Sequence, residues 1–124
     1  MKIEIPDFDK VETGFEPLPP NTYEVIVTRC EPRKGKEKGT PYISWELTVQ
    51  GPTHVGRKVF ENTFYAEEKQ KWTTKRLVVA TQAPWNGGGF NTEDCLGKRI
   101  YITLSVKDNN GRLENQLEKA VAIV

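Results

Sequence analysis

Hydrophobic and polar residues alternate over several stretches of this chain, most strictly between Tyr42 and Gln50. Every second residue there, from Ile43 to Val49, is apolar, and the residues between them are more polar. A period of two residues is typical of an antiparallel strand with one buried face. Including this one, the pattern predicts five strands, at Thr22 to Cys30, Tyr42 to Gln50, Arg57 to Tyr65, Lys98 to Val106 and Leu113 to Ile123.

The third predicted strand has two faces of similar character, so alternation alone does not decide which of them is buried. One face carries Phe60, Asn62 and Phe64, and the other carries Val59, Glu61, Thr63 and Tyr65. We expect the phenylalanine face to point inward, which would leave Tyr65 on the outside.

One helix is predicted between the third and fourth strands. Residues with helical spacing, such as Trp72, Val79 and Ala83, occur from Glu67 to Ala83, and the run ends before a proline. Trp72 would either anchor this helix or stack a base, and we expect it to anchor the helix. Three strands, one helix and two strands is the order of the OB-fold, a five-stranded Greek-key barrel. A β-sandwich with an inserted helix would give a similar order.

The length of 124 residues is sufficient for one domain with a single core. Residues 1–21 are rich in proline and acids, and we expect them to form an extended lead-in that packs on the barrel through Phe8 and Phe15. No apolar run approaches the roughly 20 residues of a membrane helix, and the N-terminus lacks the apolar segment of a secretory signal. We therefore expect a single cytoplasmic domain, residues 1–124, that does not contact a membrane.

Positive charge is unevenly distributed, although the net charge is only +1. Single-stranded DNA requires cations for its phosphates and flat aromatic surfaces for its bases. An OB-fold provides both on strands two and three and on the loops that join strands one to two and four to five. The candidate phosphate-binding residues are Arg33, Lys34, Lys36 and Lys38 in the first loop, Arg57 and Lys58 at the start of strand three, and Lys107 and Arg112 in the last loop; the candidate stacking residues are Tyr42, Tyr65 and Tyr101.

Two further groups of residues fit more than one interpretation. Trp85 and Phe90 flank a glycine-rich loop, where they would either close on DNA or pack on the barrel. The cations of the predicted helix would either extend the basic surface or only solvate the helix; they are Lys69, Lys71, Lys75 and Arg76.

Residue types that carry catalysis are present, but not in the spacings that catalysis requires. The lone His54 has no evident Ser or Cys partner. Glu67 and Glu68 form one of several acidic pairs without the further partners of a metal-dependent nuclease. Cys30 and Cys95 are too few for a disulfide framework or a zinc site. We therefore expect no enzymatic activity, no metal and no cofactor.

Several short segments resemble a bacteriophage-encoded family long catalogued as a domain of unknown function. They are Phe15 to Val25, Lys36 to Gly39 before the strand at Tyr42, Gly56 to Phe60, Leu96 to Ile100, and Asn115 beyond the last hairpin. That family includes OB-fold single-stranded-DNA-binding proteins of phage replication and recombination modules.

The resemblance implies a protein that holds single-stranded DNA in the host cytoplasm with little sequence preference. Enzymes of phage DNA replication or recombination would be its partners, and homo-oligomerisation is left open. The main alternative is a protein-interaction module that uses Ala120 to Val124 and the edge strands as its contact surface. A small metal-dependent nuclease is the third interpretation.

Overall fold

Antiparallel strands are the main secondary structure of the protein, whose structure is a computed structural model that describes residues 1–4, 17–36, 38–86 and 88–123. The elements in chain order are β1 (Asn21–Lys34), β2 (Pro41–Gly51), β3 (Lys58–Phe64), α1 (Glu68–Thr81), β4 (Trp85–Asn86), β5 (Gly89–Phe90), a short 3-10 helix (Thr92–Cys95), β6 (Arg99–Asn109) and β7 (Arg112–Ala122). Five strands form one sheet in the order β3–β2–β1–β6–β7, and β4 and β5 form a separate hairpin. The predicted mostly β architecture with one helix is confirmed, whereas the β4–β5 hairpin has no counterpart in the prediction.

β1 is the central strand and has two neighbours. Its first half, Asn21 to Ile26, pairs with β6, and the stretch from Glu24 to Lys34 pairs with β2. The register with β2 shifts at Thr28, which is the extra residue of a β-bulge. As a result the buried positions change phase along the strand, from Tyr23, Val25 and Val27 before the bulge to Cys30 after it.

The core lies on one face of the sheet and is closed by α1, which buries Leu77 and Val78. Trp45 of β2 is fully buried, and its indole Nε1 donates a hydrogen bond of 2.8 Å to the Thr63 hydroxyl of β3. Because a buried polar group without a partner costs free energy, this bond makes the indole compatible with the core.

The expectation that the phenylalanine face of the third strand points inward is wrong. Val59 and Thr63 are buried, whereas the Phe60 side chain is 61% exposed. The register decides this orientation, since Val59 pairs with Leu47 and Thr63 with Ile43, and directly paired residues lie on the same face of a sheet. Both β2 partners belong to the core.

The expected anchoring role of Trp72 is also wrong. Its side chain is 58% exposed, and the Arg76 guanidinium lies 4.8 Å from the ring centroid. Helical spacing shows which residues lie on the same face of a helix, but it does not show which face packs against the core. In this helix the buried face runs through Thr74, Leu77, Val78 and Thr81 instead.

The sheet is open, and within the described residues no pairing joins its edge strands β3 and β7. Helix α1 contacts both of them. The Thr74 hydroxyl donates to the Phe64 carbonyl of β3 at 3.3 Å. Arg76 Nη2 donates to the Leu117 carbonyl of β7 at 3.0 Å, and its Nη1 donates to the Glu118 carbonyl at 3.3 Å. The helix therefore spans the opening between the two edges.

The N-terminal lead-in is attached to β7 at Leu18. The Leu18 N–H donates to Asn115 Oδ1 at 2.8 Å, and Asn115 Nδ2 donates back to the Leu18 carbonyl at 2.9 Å. Phe8 and Phe15, expected to pack on the barrel, lie outside the described residues. In the described part of the chain no helix has the length and apolar composition needed to cross a membrane.

Candidate nucleic-acid interface

The face of β1, β2 and β3 that points away from the core carries aromatic and positively charged side chains in cross-strand rows. One row consists of Arg33, Tyr42 and Phe64, and another consists of Arg29, Glu46 and Phe60. We call this surface the outer face; it comprises Arg29, Glu31, Arg33, Tyr42, Ser44, Glu46, Thr48, Lys58, Phe60, Asn62 and Phe64. Its position follows from the orientation of the core residues, because successive side chains of a strand point to opposite faces.

Three aromatic rings of the outer face are accessible to a flat ligand. Phe60 is the most exposed of them, at 61%. Tyr42 and Phe64 are half-buried and lie side by side, with ring centroids 5.2 Å apart and planes inclined by 36°. Phe60 and Phe64 are four residues apart on β3, or about 13 Å at the usual rise of a strand. The rings therefore offer two separate stacking surfaces along one strand.

Cations flank the exposed phenylalanine. The Arg29 guanidinium lies 5.6 Å from the Phe60 ring centroid, and its Nη2 donates to the Ser44 hydroxyl at 3.2 Å. Arg29 Nη1 is 4.0 Å from Glu46 Oε1, and Lys58 Nζ is 3.3 Å from the same oxygen. One carboxylate thus holds two cations beside Phe60, and one positive charge remains in excess. The buried Nε of Arg29 has no hydrogen-bond partner among the described residues.

Glu46 is held in its ionised form by its surroundings. The Thr28 hydroxyl donates to Glu46 Oε2 at 2.7 Å, and this hydrogen bond is the largest cause of a lowered pKa of the carboxyl, followed by Lys58 and Arg29. The bulge matters here because it places the hydroxyl of its extra residue, Thr28, against β2. The carboxylate therefore positions the two cations at neutral pH.

Six of the predicted site residues lie on the outer face or at its end. Tyr42, Lys58 and Arg33 belong to the face itself, although Arg33 also pairs with Glu31 at 3.0 Å. The other three extend from the end of β1 into the loop that follows it, where they are exposed: Lys34, Lys36 and Lys38.

Two predicted residues lie on the core side of the sheet. Arg57 lies near the buried Tyr23, where burial raises the pKa of the Tyr23 hydroxyl and the charge of Arg57 partly offsets that rise. Tyr65 follows β3 directly and lines a cleft on the core side. The structure therefore does not bring these two side chains together with Tyr42.

The remaining three predicted residues lie towards the other end of the sheet. Tyr101 is exposed on β6 and pairs with Glu24 of β1. Tyr42 pairs with Arg33, which lies nine residues further along β1, so the two tyrosines are far apart on the sheet. Lys107 and Arg112 lie near the tip of the β6–β7 hairpin, which extends past the beginning of β1. The loop that carries Lys36 and Lys38 follows the opposite end of β1.

Sequence reasoning missed Arg29, Phe60 and Phe64. Strict alternation from Val25 and Val27 would place Arg29 inside, so a charge at that position is a signal of the bulge. No comparable signal marks the two phenylalanines, because their orientation depends on the register with β2, which the connection at residues 51–57 sets.

No cluster of three or more His, Cys, Asp or Glu side chains suited to a metal ion is found in the ranges that the structure describes. Cys30 and Cys95 are both buried, and neither forms a disulfide.

A family model described as "Protein of unknown function (DUF669)" matches residues 6–116. No curated protein matches the chain.

Proposed function

We propose that this chain, which belongs to the DUF669 family of proteins of unknown function, binds single-stranded DNA on its outer face without catalysing a reaction. The observation that carries the proposal is the exposed Phe60 between Arg29 and Lys58, together with the neighbouring Tyr42–Phe64 pair. Exposed aromatic rings bordered by cations are the elements that single-strand binding requires.

Low sequence preference follows from the chemistry of this surface. Stacking on Phe60 and Phe64 accepts any base, because every base has a flat π-face. The cations contact phosphates, which are the same in every sequence. Duplex DNA keeps its bases stacked internally and would use only the cations. A preference for single strands over duplex is therefore expected.

We also propose that the open sheet is of the OB-fold type. β1 lies at its centre, the helix falls between the third and fourth long strands, and the last two strands form a hairpin. An OB-fold is a partly open Greek-key barrel that binds oligonucleotides on strands two and three. The outer face occupies that position on β2 and β3.

The resemblance to phage proteins supports a biological setting for this activity. We place it in phage DNA replication or recombination in the host cytoplasm, with enzymes of those modules as partners. Under the alternative, a protein-interaction module, the contact surface would include Val121, which is 52% exposed on the edge strand β7.

The decisive experiment is fluorescence anisotropy with a labelled oligo-dT of about 20 nucleotides. Phe60→Ala is expected to weaken binding about 5- to 150-fold, since one base stack contributes about 1 to 3 kcal/mol. Because Phe60 is mostly exposed, its truncation should leave the fold intact.

Val121→Ala is the matched control, because Val121 is a similarly exposed apolar residue at the other edge of the sheet. It is expected to leave the affinity unchanged. Equal effects of the two substitutions, or tighter binding of a duplex competitor, would contradict the proposed site. If the wild-type protein does not bind the oligonucleotide at low salt, DNA binding is excluded and the protein-interaction alternative takes its place.

A further inference from the structure

A cleft of about 880 Å³ lies on the core side of the sheet, opposite the outer face. Its volume is within the range of about 300 to 1,000 Å³ that is usual for ligand sites. Helix α1, the β4–β5 hairpin and the ends of β1 and β2 surround it. The lining residues that matter for its chemistry are Tyr65, Lys71, Lys75, Trp85, Phe90 and Glu93.

The cleft presents aromatic rings to solvent. Trp85 is 44% exposed and Tyr65 is 37% exposed. Trp85 pairs with Phe90 across the β4–β5 hairpin, and their rings meet edge to face with centroids 6.5 Å apart. Phe90 packs against the core, and Trp85 is the more exposed ring of the pair. The exposed rings of Trp85 and Tyr65 are accessible to a flat ligand.

The charged lining of the cleft consists of two lysines and one carboxylate. Lys75 Nζ lies 5.6 Å from the Trp85 ring centroid, and Lys71 is one helical turn away. Lys71 also pairs with Glu68 at 2.6 Å. Glu93 opposes them as the carboxylate in the lining. A cation beside an exposed indole repeats the combination that Arg29 and Phe60 make on the outer face.

The cleft and the outer face meet at the same end of the strands. Ile43 lines the cleft, and its neighbour Tyr42 belongs to the outer face. Likewise Tyr65 lines the cleft and follows Phe64 of the outer face. The loop at residues 35–40, with exposed Lys36 and Lys38, begins at this end of β1. A phosphate backbone would meet cations on the path from one side to the other.

We infer that the cleft is a second base-binding subsite, which takes nucleotides of the same single strand after it leaves the outer face and passes the loop at residues 35–40. Trp85 and Tyr65 stack the bases, and Lys71 and Lys75 contact the phosphates. The inference rests on the proposed function and extends it. The two sides of the sheet together bind a longer stretch of DNA than the outer face alone.

Oligonucleotide length separates the two subsites. A strand of about 6 nucleotides fills only one side, whereas one of about 20 reaches both. Trp85→Ala is expected to weaken binding of the long strand at least about fivefold and to leave the short strand within about twofold. Trp85→Phe keeps an aromatic ring and is expected to retain most of the affinity, which distinguishes lost stacking from a disturbed fold.

Charge substitutions test the phosphate path. Lys75→Gln is expected to weaken only the long strand, and its matched control is Lys69→Gln, because Lys69 lies on the same helix but does not line the cleft. Glu93→Gln removes the opposing carboxylate and is expected to strengthen binding of the long strand. Equal effects of the two lysine substitutions, or weaker binding with Glu93→Gln, would overturn the subsite.

Tryptophan fluorescence tests occupancy directly. A Trp72→Phe variant retains the buried Trp45 and the cleft residue Trp85 as emitters. The long strand is expected to quench its emission and the short strand is not. Binding of the long strand without quenching would place the DNA elsewhere.

The outcomes distinguish this inference from the proposed function. If Phe60→Ala weakens both strands and Trp85→Ala weakens neither, the cleft is excluded and the outer face stands. If Trp85→Ala weakens both strands and Phe60→Ala neither, the cleft is the binding site and the outer face is excluded. If the wild-type protein binds neither strand, both proposals fail.

Discussion

Glu61 carries an ionisable carboxyl on the core side of β3, directly opposite Trp45. Burial raises the pKa of this carboxyl, and the charge of Arg76 partly offsets the rise. A raised pKa means that the ionised form is less favourable in the folded than in the unfolded protein. The stability gained from the neutral form is therefore complete below the unfolded pKa and is lost as the pH rises through the folded pKa.

Glu61→Gln is expected to stabilise the protein at neutral pH, because the amide is never ionised. The advantage over the wild type should decrease as the pH falls through the raised pKa of the folded carboxyl, and it should vanish below the pKa of the unfolded chain, where the wild-type carboxyl is protonated in both states. Thermal unfolding of both proteins across this pH range measures the difference. Glu114→Gln, at an exposed position of β7, is the control. A constant difference between wild type and Glu61→Gln at all pH values would contradict the assigned pKa direction.

At the scale of elements, Arg76 joins α1 to the open edge of β7. Arg76→Met keeps much of the aliphatic stem but removes the hydrogen bonds to the Leu117 and Glu118 carbonyls. Hydrogen bonds that involve a charged group contribute about 1.5 to 3 kcal/mol each. The bond to the Glu118 carbonyl is exposed to solvent and therefore contributes less than the bond to the Leu117 carbonyl. We therefore expect a loss of about 2 kcal/mol in the free energy of unfolding, measured by urea denaturation.

Lys69→Met is the control for that measurement. It changes the charge on the same helix at a position that is 83% exposed and pairs with Glu67 at 3.7 Å. Its effect should lie within about 0.5 kcal/mol, as for most surface substitutions. If both variants unfold at the same urea concentration, α1 does not depend on Arg76 to hold the edge strand.

The sequence was sufficient to locate the long elements but not to orient all of them. In β2 one face is apolar throughout, so alternation identifies both the strand and its buried side. In β3 both faces carry apolar residues, and the burial of Val59 rather than Phe60 depends on pairing with a distant segment. A hairpin of two-residue strands, such as β4–β5, is too short to show any period.

The candidate site was predictable to a similar extent. The basic loop and Tyr42 follow from local composition and from a clearly oriented strand. Phe60 could not be assigned to the site without the register, and Arg29 could not without the bulge. Interactions between segments, rather than properties of single segments, decided both positions.

At the scale of the whole molecule, the position of charge matters more than its total. The net charge is only +1, yet cations extend over the outer face and the adjoining loop. Binding to single strands releases about 0.7 counterions for each phosphate contact. Loss of contacts should therefore reduce the slope of log K against log salt concentration.

A Lys36→Gln, Lys38→Gln double variant is expected to reduce that slope by about 1.4 if each lysine contacts one phosphate. Phe60→Ala should lower the affinity at every salt concentration and leave the slope unchanged, because stacking releases few ions. Anisotropy titrations at several salt concentrations give both quantities. A change of slope with Phe60→Ala, or none with the lysine variant, would reverse these assigned roles.

The bulge at Thr28 also governs which changes of chain length β1 can accept during descent from an ancestor. Loss of one residue between Val27 and Cys30 would straighten the strand and keep both of its faces as they are. Loss of a residue elsewhere in β1 would turn one half of the strand inside out, with either its core residues or its cations on the wrong side. The loop at residues 35–40 lies outside this constraint, so insertions and deletions in related proteins should accumulate in that loop.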